Sequence, residues 1–360
     1  MTATDVPPTA GPPTLPYATT SAQRPRGAWA AVLAKLAPLI GLALVVTLFS
    51  ALRYDTFFTL GNFELILRQT AVVGIAALGM TMIIIAGGID LSVGSAIALV
   101  SVCVALFMPH YVEDPNTRER LVVPGLSPAL AMLGGLAVGT LMGVVNGVLV
   151  TRLRVVPFII TLGMMSILRG AAQGLAHNEG VYPVSGGFLD QLLQPVDPHR
   201  LWLLTPGVWL MLALAVVVSG VLRYTRFGRH VFAVGSNEQT ARLCGVPVER
   251  VKLLVYAVGA LLTAVAGVLQ FSFVHMGDPT TAMGMELDII AAVVIGGASL
   301  SGGHGTVLGT LVGALIMTVV ANGCAKLGLQ NWVQLMVTGG IIILAVALDR
   351  LRYRGTGEGQ

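Results

Sequence analysis

Residues 70–108 read TAVVGIAALGMTMIIIAGGIDLSVGSAIALVSVCVALFM, and Asp90 is their single charged side chain. A bilayer core about 30 Å thick needs roughly 20 apolar residues per helix. The segment therefore predicts two membrane crossings, joined by a tight connection at 87–94 where glycines allow a sharp break. Because the apolar residues run continuously and do not alternate with polar ones, the crossings are predicted to be helices and not strands of a barrel.

Apolar runs of this kind recur outside 70–108, almost to the end of the chain. Charged residues make up 11% of the sequence and the hydrophobic set 55%, whereas soluble domains are about 25% charged, so a soluble protein with one large core is excluded. The ten predicted spans are 36–52, 70–87, 95–108, 128–150, 155–176, 206–222, 253–273, 287–295, 307–321 and 332–348. The prediction is an all-α polytopic membrane protein of about ten transmembrane helices, with broken or re-entrant elements.

The two ends of the chain differ from its middle. Residues 1–27 hold six prolines and no basic residue before Arg24. A signal peptide opens with positive charge and continues into an apolar core, so this segment is not one. We interpret 1–35 as a disordered cytoplasmic leader, 36–349 as the transmembrane domain and 350–360 as a C-terminal tail.

The positions of the basic residues predict the orientation in the membrane. With the N-terminus inside, the inner segments hold 14 of the 21 Lys and Arg and the outer segments hold 6, while Arg169 lies within a span. Cytoplasmic loops carry such an excess, so both termini are predicted to be cytoplasmic. The largest inner segment is 223–252, and the outer loops include 109–127 and 177–205. Because the basic residues form no continuous patch, nucleic acid is not an expected partner.

Two glycine-rich stretches with the pattern GGxxLSxG interrupt the apolar runs, at 87–94 and 296–303. Internal repeats are common in transporters, but the spans that flank the two stretches do not align at a constant offset. An acid at membrane depth is costly, so Asp90 either caps the following helix or contacts a transported solute or its gate. The candidates for the substrate pathway or gate in these stretches are Gly87, Gly88, Asp90, Ser92, Gly296 and Gly297.

Two further acidic residues, Glu286 and Asp288, open the eighth span on its outer side. They meet a solute, pair with Arg169 or remain in the interface, and we add them to the candidates for the substrate pathway. Asn146 and Asn322 end predicted helices and are expected to form hydrogen bonds between helices.

Glycines recur every four residues along two of the predicted helices. Small residues at this interval let helix backbones approach closely in lipid. We therefore predict helix packing as their role, with the lining of a path as the alternative. The first stripe is Gly135, Gly139, Gly143 and Gly147, and the second is Gly305, Gly309 and Gly313.

The inner loop 223–252 contains the signature of a short helix. Ser236 or Asn237 can cap it, Glu238 lies in its favourable first turn, and Gly245 can end it before Pro247 limits continuation. The prediction is an exposed helix of about two turns, which is either a docking element for a partner or an ordinary interfacial loop. Its residues are Ser236, Asn237, Glu238, Gln239, Thr240, Ala241, Arg242, Leu243 and Gly245.

Motifs for catalysis and nucleotide binding are absent from the sequence. A phosphate-cradling loop requires a lysine directly after a glycine, and none of Lys35, Lys252 and Lys326, the lysines of this chain, follows one. The cysteines are widely separated, two on predicted helices and Cys244 in a loop, so neither a disulfide framework nor a metal cluster is expected. The chain is predicted not to be an enzyme and to bind neither ATP nor a metal itself.

Four ordered blocks resemble the permease subunits of ribose-type monosaccharide ABC importers, over about residues 60–349. The blocks are AGGIDLSVGS at 86–95, PFIITLGMM at 157–165, the loop at 235–245 and ELDIIAAVVIGG at 286–297. The resemblance implies the ABC importer permease fold and a pair of permeases in a bacterial inner membrane. It also implies two cytoplasmic ATPase subunits that use the ATP, and a periplasmic sugar-binding protein.

The resemblance further implies that 237–245 is the coupling helix seated in the ATPase. The family often shows Glu-Ala-Ala in this helix, where this chain has Glu238, Gln239 and Thr240. The helix is expected to survive that departure.

The function that the resemblance implies is the passage of a monosaccharide into the cytoplasm by alternating access, driven by a separate ATPase. Permeases for branched-chain amino acids share parts of the pattern, so these solutes and nucleosides stay open as alternatives. An ion-coupled secondary transporter would use Asp90, Glu286 and Asp288. An integral-membrane enzyme would need His, Asp or Ser grouped at one depth, which the scattered histidines do not offer.

Overall fold

The apolar runs fold into α-helices. The computed structural model describes residues 28–113, 119–153, 155–195 and 204–354, and thirteen α-helices occur in these ranges. The helices are α1 (Ala28–Leu52), α2 (Tyr54–Phe57), α3 (Leu60–Ile85), α4 (Val93–Phe107), α5 (Pro128–Leu153), α6 (Pro157–Leu175), α7 (Pro206–Tyr224), α8 (Arg226–Ser236), α9 (Glu238–Leu243), α10 (Val248–Val274), α11 (Met285–Ile295), α12 (Val307–Lys326) and α13 (Asn331–Arg354). The strands are β1 (His110–Glu113), β2 (Arg120–Val123) and β3 (Tyr182–Pro183), and a 3-10 helix covers Gly187–Leu189.

Each predicted span coincides with a helix, namely α1, α3 to α7 and α10 to α13. In the described part of the chain, six helices are long and apolar enough to cross a membrane: α3, α5, α6, α7, α10 and α12. α4 and α11 are shorter, with 15 and 11 residues, because glycine-rich breaks border them. The chain is an all-α polytopic membrane protein with broken helices, as the sequence predicts.

α3 is longer than the apolar run that predicted it. It begins at Leu60, where the Thr59 hydroxyl caps it by accepting the N–H of Asn62 at 3.3 Å. The predicted span started only at residue 70, because Glu64 and Arg68 end the apolar run. Long side chains at the membrane surface can keep their charged ends in water, so the helix continues through them.

Both ends of the chain also differ from the predicted boundaries. α1 begins at Ala28, so 28–35 are helical and not part of a disordered leader, since the alanines there are strong helix formers. α13 continues through Arg354, past the predicted boundary at 349. The remaining leader 1–27, the tail 355–360 and the basic residues at 118, 154 and 200 lie outside the described residues. The described residues divide into two units between Ala37 and Pro38, and every candidate site residue belongs to the second unit.

α3, α4 and α10 form the buried centre of the bundle. All residues of α3 from Thr70 to Ile85 are buried, as are those of α4 from Val93 to Ala105. α10 packs against both of these helices and against α5. α5, α6 and α7 carry exposed leucine, isoleucine and valine side chains on their outward faces, as helices that face lipid do.

Buried polar side chains join α3 to α12 along much of their length. Because the two helices are antiparallel, residues with increasing numbers along α3 contact residues with decreasing numbers along α12. Asn322 forms a hydrogen bond between helices, as predicted, whereas the threonine pairs were not foreseen. The pairs, which we call the polar ladder, are Asn62 Nδ2 to Asn322 Oδ1 at 3.0 Å, Thr70 Oγ1 to Thr318 Oγ1 at 2.6 Å and Thr81 Oγ1 to Thr310 Oγ1 at 2.7 Å.

The bundle has two distinct ends. β1 pairs antiparallel with β2 and with β3, so the strand order is β2-β1-β3, and the strands lie in the predicted outer loops. Val181 pairs with Gly277, which brings the end of α10 to the same place. α8 and α9 precede the start of α10 and lie at the opposite end. We call the two ends the sheet end and the α9 end.

Candidate functional site

The predicted inner loop forms two helices, whereas the sequence predicted one. α8 is capped by Thr225 and was missed because its basic and polar residues form no apolar run. α9 is capped as predicted, since Asn237 Oδ1 accepts the N–H of Thr240 at 2.8 Å. Gly245 follows the end of α9 with a φ of +80°, a left-handed conformation that favours glycine.

Four charged side chains join α9 to the start of α10. Glu238 accepts from Lys252 Nζ at 2.6 Å and from Arg242 Nη2 at 3.4 Å, while Arg242 Nη1 donates to Glu249 Oε1 at 2.5 Å. The hydrogen bond from Lys252, together with the nearby Arg242 charge, lowers the pKa of the Glu238 carboxyl from its usual 4.5. Leu243 at the tip of α9 is 89% exposed. The charged network fixes the orientation of α9 and leaves its tip accessible to a partner.

Lys252→Met is expected to loosen α9. A partly exposed ion pair contributes about 0.5 kcal/mol, so hydrogen exchange of the α9 amides should be about twofold faster in the variant at pH 7. The pKa of the Glu238 carboxyl is lower in the folded state than in the unfolded state. The stabilisation by the ion pair is therefore fully present above pH 4.5 and is lost as the pH falls through the pKa of the folded state.

The difference in hydrogen-exchange rate of the α9 amides between the wild type and Lys252→Met should therefore become smaller as the pH is lowered below 4.5. Arg229→Met is the matched control, because Arg229 is an exposed basic residue on α8. A difference that keeps its full size at low pH would contradict the role of the Glu238 carboxylate.

The C-terminus of α8 lies against both glycine-rich breaks. The N–H of Gly303 donates to the carbonyl oxygen of Ile85 at 2.9 Å, which joins the second break to the end of α3. Gly235 of α8 lies so close that a Cβ atom there would overlap the same Ile85 oxygen. A Cβ atom on Gly302 would stand 2.7 Å from the Gly235 oxygen and 3.1 Å from Gly87 Cα. We call this contact of α8 with the two breaks the break junction.

The two breaks end their preceding helices in the same way. In each break, the N–H of a glycine with positive φ, Gly87 (φ +79°) or Gly297 (φ +94°), donates to the carbonyl oxygen three residues earlier. The N–H of the next residue donates to the carbonyl oxygen five residues before it, which completes a Schellman-type turn. Gly87 is the first glycine of the pair 87–88, whereas Gly297 is the second glycine of the pair 296–297. The helix-ending turn therefore lies one residue later in the second GGxxLSxG stretch than in the first. A second small turn follows in each, with Ser92 N–H to Asp90 Oδ1 at 2.8 Å and Ser301 N–H to Ser299 Oγ at 3.3 Å.

Asp90 is fixed by its own turn and is only 3% exposed. Its Oδ1 accepts from the Ser92 N–H at 2.8 Å and from the Ser92 hydroxyl at 2.6 Å. Asn146 Nδ2 of α5 donates to the Ser92 Oγ at 2.9 Å, and the Tyr256 hydroxyl of α10 donates to the Ile89 oxygen at 3.3 Å. Asp90 thus closes a local turn just before α4, whose N-cap Ser92 has no side-chain cap hydrogen bond. The bonds from Asn146 and Tyr256 tie the first break to α5 and α10.

Glycines let neighbouring backbones touch at several places in the bundle. A Cβ atom on Gly139 would stand 2.5 Å from the Ala264 Cβ, and one on Gly143 would stand 2.5 Å from the Tyr256 oxygen. The first stripe therefore packs α5 against α4 and α10, which is the geometry of close helix packing. Comparable crowding surrounds Gly88, Gly135, Gly147, Gly296, Gly309 and Gly313.

The segment that leads into α11 is held by Arg169 of α6. Its Nη1 donates to the backbone oxygens of Pro279 and Thr281, both at 2.8 Å. Glu286 Oε2 is buried without a hydrogen-bond partner among the residues that the structure describes, and it lies against Gly94 at the start of α4. Arg169 therefore holds backbone oxygens, and the predicted pairing of Arg169 with an acidic side chain is not seen in the described ranges.

A cavity of about 560 Å³ lies between α3, α10, α11, α12 and α13, in the half of the bundle toward the sheet end. Apolar side chains such as Phe273 and Met285 form part of its lining. The cavity thus combines an apolar wall with polar groups from several helices. Its polar lining includes Gln69, Gln270, Asp288, Thr318, Asn322 and Lys326.

Among the predicted pathway residues, Asp288 lines this cavity, and Gly87 belongs to the break junction. Sequence reasoning missed Gln69, Gln270 and Lys326. Gln270 carried a signal, because an amide inside the apolar run 253–273 is costly unless it has a function or a partner. Gln69 and Lys326 lie just outside predicted spans and gave no such signal.

In the described ranges, no group of three or more His, Cys, Asp or Glu side chains that could hold a metal ion occurs. The thiols of Cys103 and Cys324 are buried and free, and that of Cys244 is exposed and free.

At the α9 end, the bundle brings two broken helix pairs against one helix, α8. Toward the sheet end, it contains a cavity that has both apolar and polar lining. With its membrane-spanning helices, this arrangement defines the chain as a multi-pass membrane permease.

Comparison with known proteins agrees with this class. The family described as branched-chain amino acid transport system / permease component matches residues 62–346. The ribose import permease protein of Bacillus subtilis (strain 168) is 39% identical over 320 residues, which cover 89% of this chain and 94% of the relative. That of Escherichia coli (strain K12) is 38% identical over 313 residues, 86% and 92% of the two chains.

A fructose import permease protein of Rhizobium meliloti is 36% identical over 317 residues, which cover 87% of this chain and 84% of the relative. No solved structure matches the chain. The chain belongs to the family of branched-chain amino acid transport system / permease components.

Proposed function

We propose that the chain is the membrane-spanning subunit of an ATP-binding cassette importer that passes a monosaccharide into the cytoplasm. The names of similar proteins support this, because they identify import permeases for ribose and fructose and an ABC transporter permease for L-arabinose. The excess of Lys and Arg in the predicted inner segments supports an orientation in the bacterial inner membrane with the α9 end and both termini in the cytoplasm. The chain acts as a transport subunit and not as an enzyme.

The break junction is the observation that carries this proposal. α9 follows α8 directly, the charged network fixes α9, and α8 ends against both breaks. A partner that displaces α9 thereby also displaces the ends of α3 and α11. Because breaks in helices are the places where their direction can change, this displacement re-packs the helix pairs α3–α4 and α11–α12 and opens the opposite side.

The proposed partners follow from this arrangement. α9 is the coupling helix for a separate cytoplasmic ATPase, which binds and uses the ATP, so this chain holds no cofactor. Its exposed Gln239, Thr240 and Leu243 form the contact surface, whereas Ala241 is buried and Ser236 lies against Gly303 in the break junction. A second copy or a paralogue of the permease completes the membrane unit, and a periplasmic sugar-binding protein docks at the sheet end.

The source of energy tests the proposal. The chain is reconstituted into vesicles with its ATPase and its sugar-binding protein, and D-ribose, D-fructose and L-arabinose are offered separately. We expect ATP-dependent accumulation of at least one sugar that a protonophore does not abolish, and no accumulation without the ATPase. Uphill accumulation by the chain alone would identify an ion-coupled transporter and contradict the proposal.

Branched-chain amino acids are a second candidate class of substrate, because the description of the family names them. The same vesicles test this class with L-leucine. Accumulation of L-leucine in the absence of any sugar uptake would replace the monosaccharide in the proposal while keeping the ATP-driven mechanism.

A further inference from the structure

We propose that the cavity between α3, α10, α11, α12 and α13 is a transient binding site for a neutral sugar ring on its way through the membrane. This inference rests on the proposed function, and it adds the place where the solute is held and the groups that hold it.

Polar groups that face the cavity without a partner give the first argument. The side chains of Gln69, Asp288 and Lys326 line the cavity and make no hydrogen bond or ion pair within the described part of the chain. Asn322 uses its Oδ1 to accept from Asn62, and its Nδ2 donates to no described residue. Gln69, Asp288 and Lys326 are half-buried, so their polar atoms are accessible from the cavity, and the hydroxyls of a solute can replace the water that would otherwise bond to them.

The chemistry of these groups matches the hydroxyls of a sugar. A carboxylate such as that of Asp288 accepts two hydroxyl hydrogen bonds, and the amides of Gln69 and Asn322 can both donate and accept. Phe273 supplies an apolar surface for the C–H face of a ring. The Arg68 guanidinium lies 5.3 Å from the centroid of the Phe273 ring, a cation–π contact that restrains the ring.

The charge of the lining favours a solute without net charge. Asp288 and Lys326 are opposite in sign, so an anionic sugar phosphate finds no net attraction in the cavity. A free amino acid would pair with both charges but would leave the amides of Gln69 and Asn322 unmatched. L-leucine is therefore the informative competitor for a sugar. The volume of about 560 Å³ lies within the usual range of ligand pockets, about 300–1,000 Å³.

α11 connects this cavity to the break junction. Asp288 lies in the first turn of α11, and Gly296 follows its last residue. A shift of the second break therefore moves the Asp288 carboxylate relative to Gln69 on α3. A site whose polar groups separate in this way holds the solute in one arrangement of the permease and releases it in the other.

Protection of a cysteine from labelling tests the site directly. Ala321→Cys places a thiol on the cavity lining, in a Cys244→Ser background because Cys244 is the exposed native thiol. A sugar that the importer transports, at ten times its dissociation constant, should slow reaction with a membrane-impermeant maleimide by about tenfold, and L-leucine should not. Leu126→Cys, outside the cavity and exposed, should react at the same rate in every case.

Variants of the lining identify the groups that bind. Asp288→Asn and Gln69→Leu should each reduce the protection of the cysteine at position 321 from about tenfold to about twofold at the same sugar concentration. They should also raise the KM for sugar uptake by about tenfold, which corresponds to the loss of a hydrogen bond of about 1.4 kcal/mol. Gln173→Leu is the matched control, because Gln173 lies on α6, which contributes nothing to the lining. Its KM and its protection should match the wild type.

The outcomes separate this inference from the proposed function. ATP-driven sugar uptake with no protection by D-ribose, D-fructose or L-arabinose would overturn the cavity site and leave the importer intact. An unchanged KM for sugar uptake by Asp288→Asn would likewise overturn the cavity site and leave the importer intact. Protection by L-leucine and not by a sugar would also overturn it, while an absence of ATP-driven uptake in the wild type counts against the proposed function itself.

Discussion

Gly235→Ala is expected to reduce ATP-driven sugar uptake by about 100-fold, the order of loss that a misplacement of about 1 Å causes at a functional site. The added methyl group would overlap the Ile85 carbonyl oxygen and stand 2.7 Å from the Gly303 nitrogen. Both are backbone atoms and cannot rotate away, so α8 must retreat from both breaks at once. Vesicles that contain the ATPase and the sugar-binding protein report uptake and ATP hydrolysis in parallel, and we expect hydrolysis to continue without matching uptake.

Gly220→Ala is the matched control for Gly235→Ala. A Cβ atom on Gly220 in α7 meets no other atom within 4 Å, and alanine favours a helix over glycine by about 1 kcal/mol, so uptake should equal that of the wild type. Gly302→Ala approaches the break junction from the second break and should reproduce the loss. A Gly235→Ala protein that folds, as judged by gel filtration, and transports like the wild type would remove the break junction from the mechanism.

Gly143→Leu is expected to destabilise the protein and to reduce the fraction of molecules that fold. Its Cβ atom would collide with the Ala260 side chain and stand 2.5 Å from the Tyr256 carbonyl oxygen, so α5 and α10 would have to separate. Overpacking costs about 1–3 kcal/mol where side chains can adjust, and here backbone atoms oppose the change. We expect the thermal midpoint in detergent to fall by at least about 5 °C, with a smaller monodisperse fraction on gel filtration.

Gly163→Leu provides the comparison for Gly143→Leu. Gly163 in α6 is exposed, and a Cβ atom there meets no atom within 4 Å, so its thermal midpoint should remain at the wild-type value. Equal midpoints for the two leucine variants would mean that α5 and α10 are not in direct contact through the first glycine stripe.

The order and the approximate positions of the apolar helices could be predicted from the sequence, because a continuous apolar run leaves few alternatives to a helix. The ends of helices could not be predicted to the same degree. α3 begins at Leu60 and passes through Glu64 and Arg68, which a search for apolar residues reads as the end of a run. α8 escaped prediction for a related reason, since it packs on the bundle through a few side chains of an otherwise polar segment.

Some residues of the candidate site could be predicted from the sequence, and others could not. Asp288 could be predicted because an acid at the start of an apolar span is unusual. Gln69 and Asn322 are separated by most of the chain, and only the packing of α3 against α12 brings both to the cavity. The requirement for glycine at position 235 arises from the Ile85 and Gly303 backbones, so no local pattern around Gly235 reveals it.

The repeated GGxxLSxG pattern shows a partial success of sequence reasoning. It correctly marked both breaks, and Asp90–Ser92 and Ser299–Ser301 form equivalent small turns. The connection between α11 and α12 covers 296–306, eleven residues, whereas that between α3 and α4 covers 86–92, seven residues. The longer second connection accounts for the lack of a constant offset between the flanking spans.

The polar ladder makes α3 and α12 a single strut. Pulling them apart would leave the buried Asn322 Oδ1 without its donor, which is costly in apolar surroundings, and would separate both pairs of threonine hydroxyls. We therefore expect the strut to stay whole in every shape that the permease adopts. Changes in the width of the cavity then fall to α10, α11 and α13. A carrier with one stationary wall and one moving wall releases its cargo when the moving wall withdraws, while the groups on the stationary wall keep their positions for the next cycle.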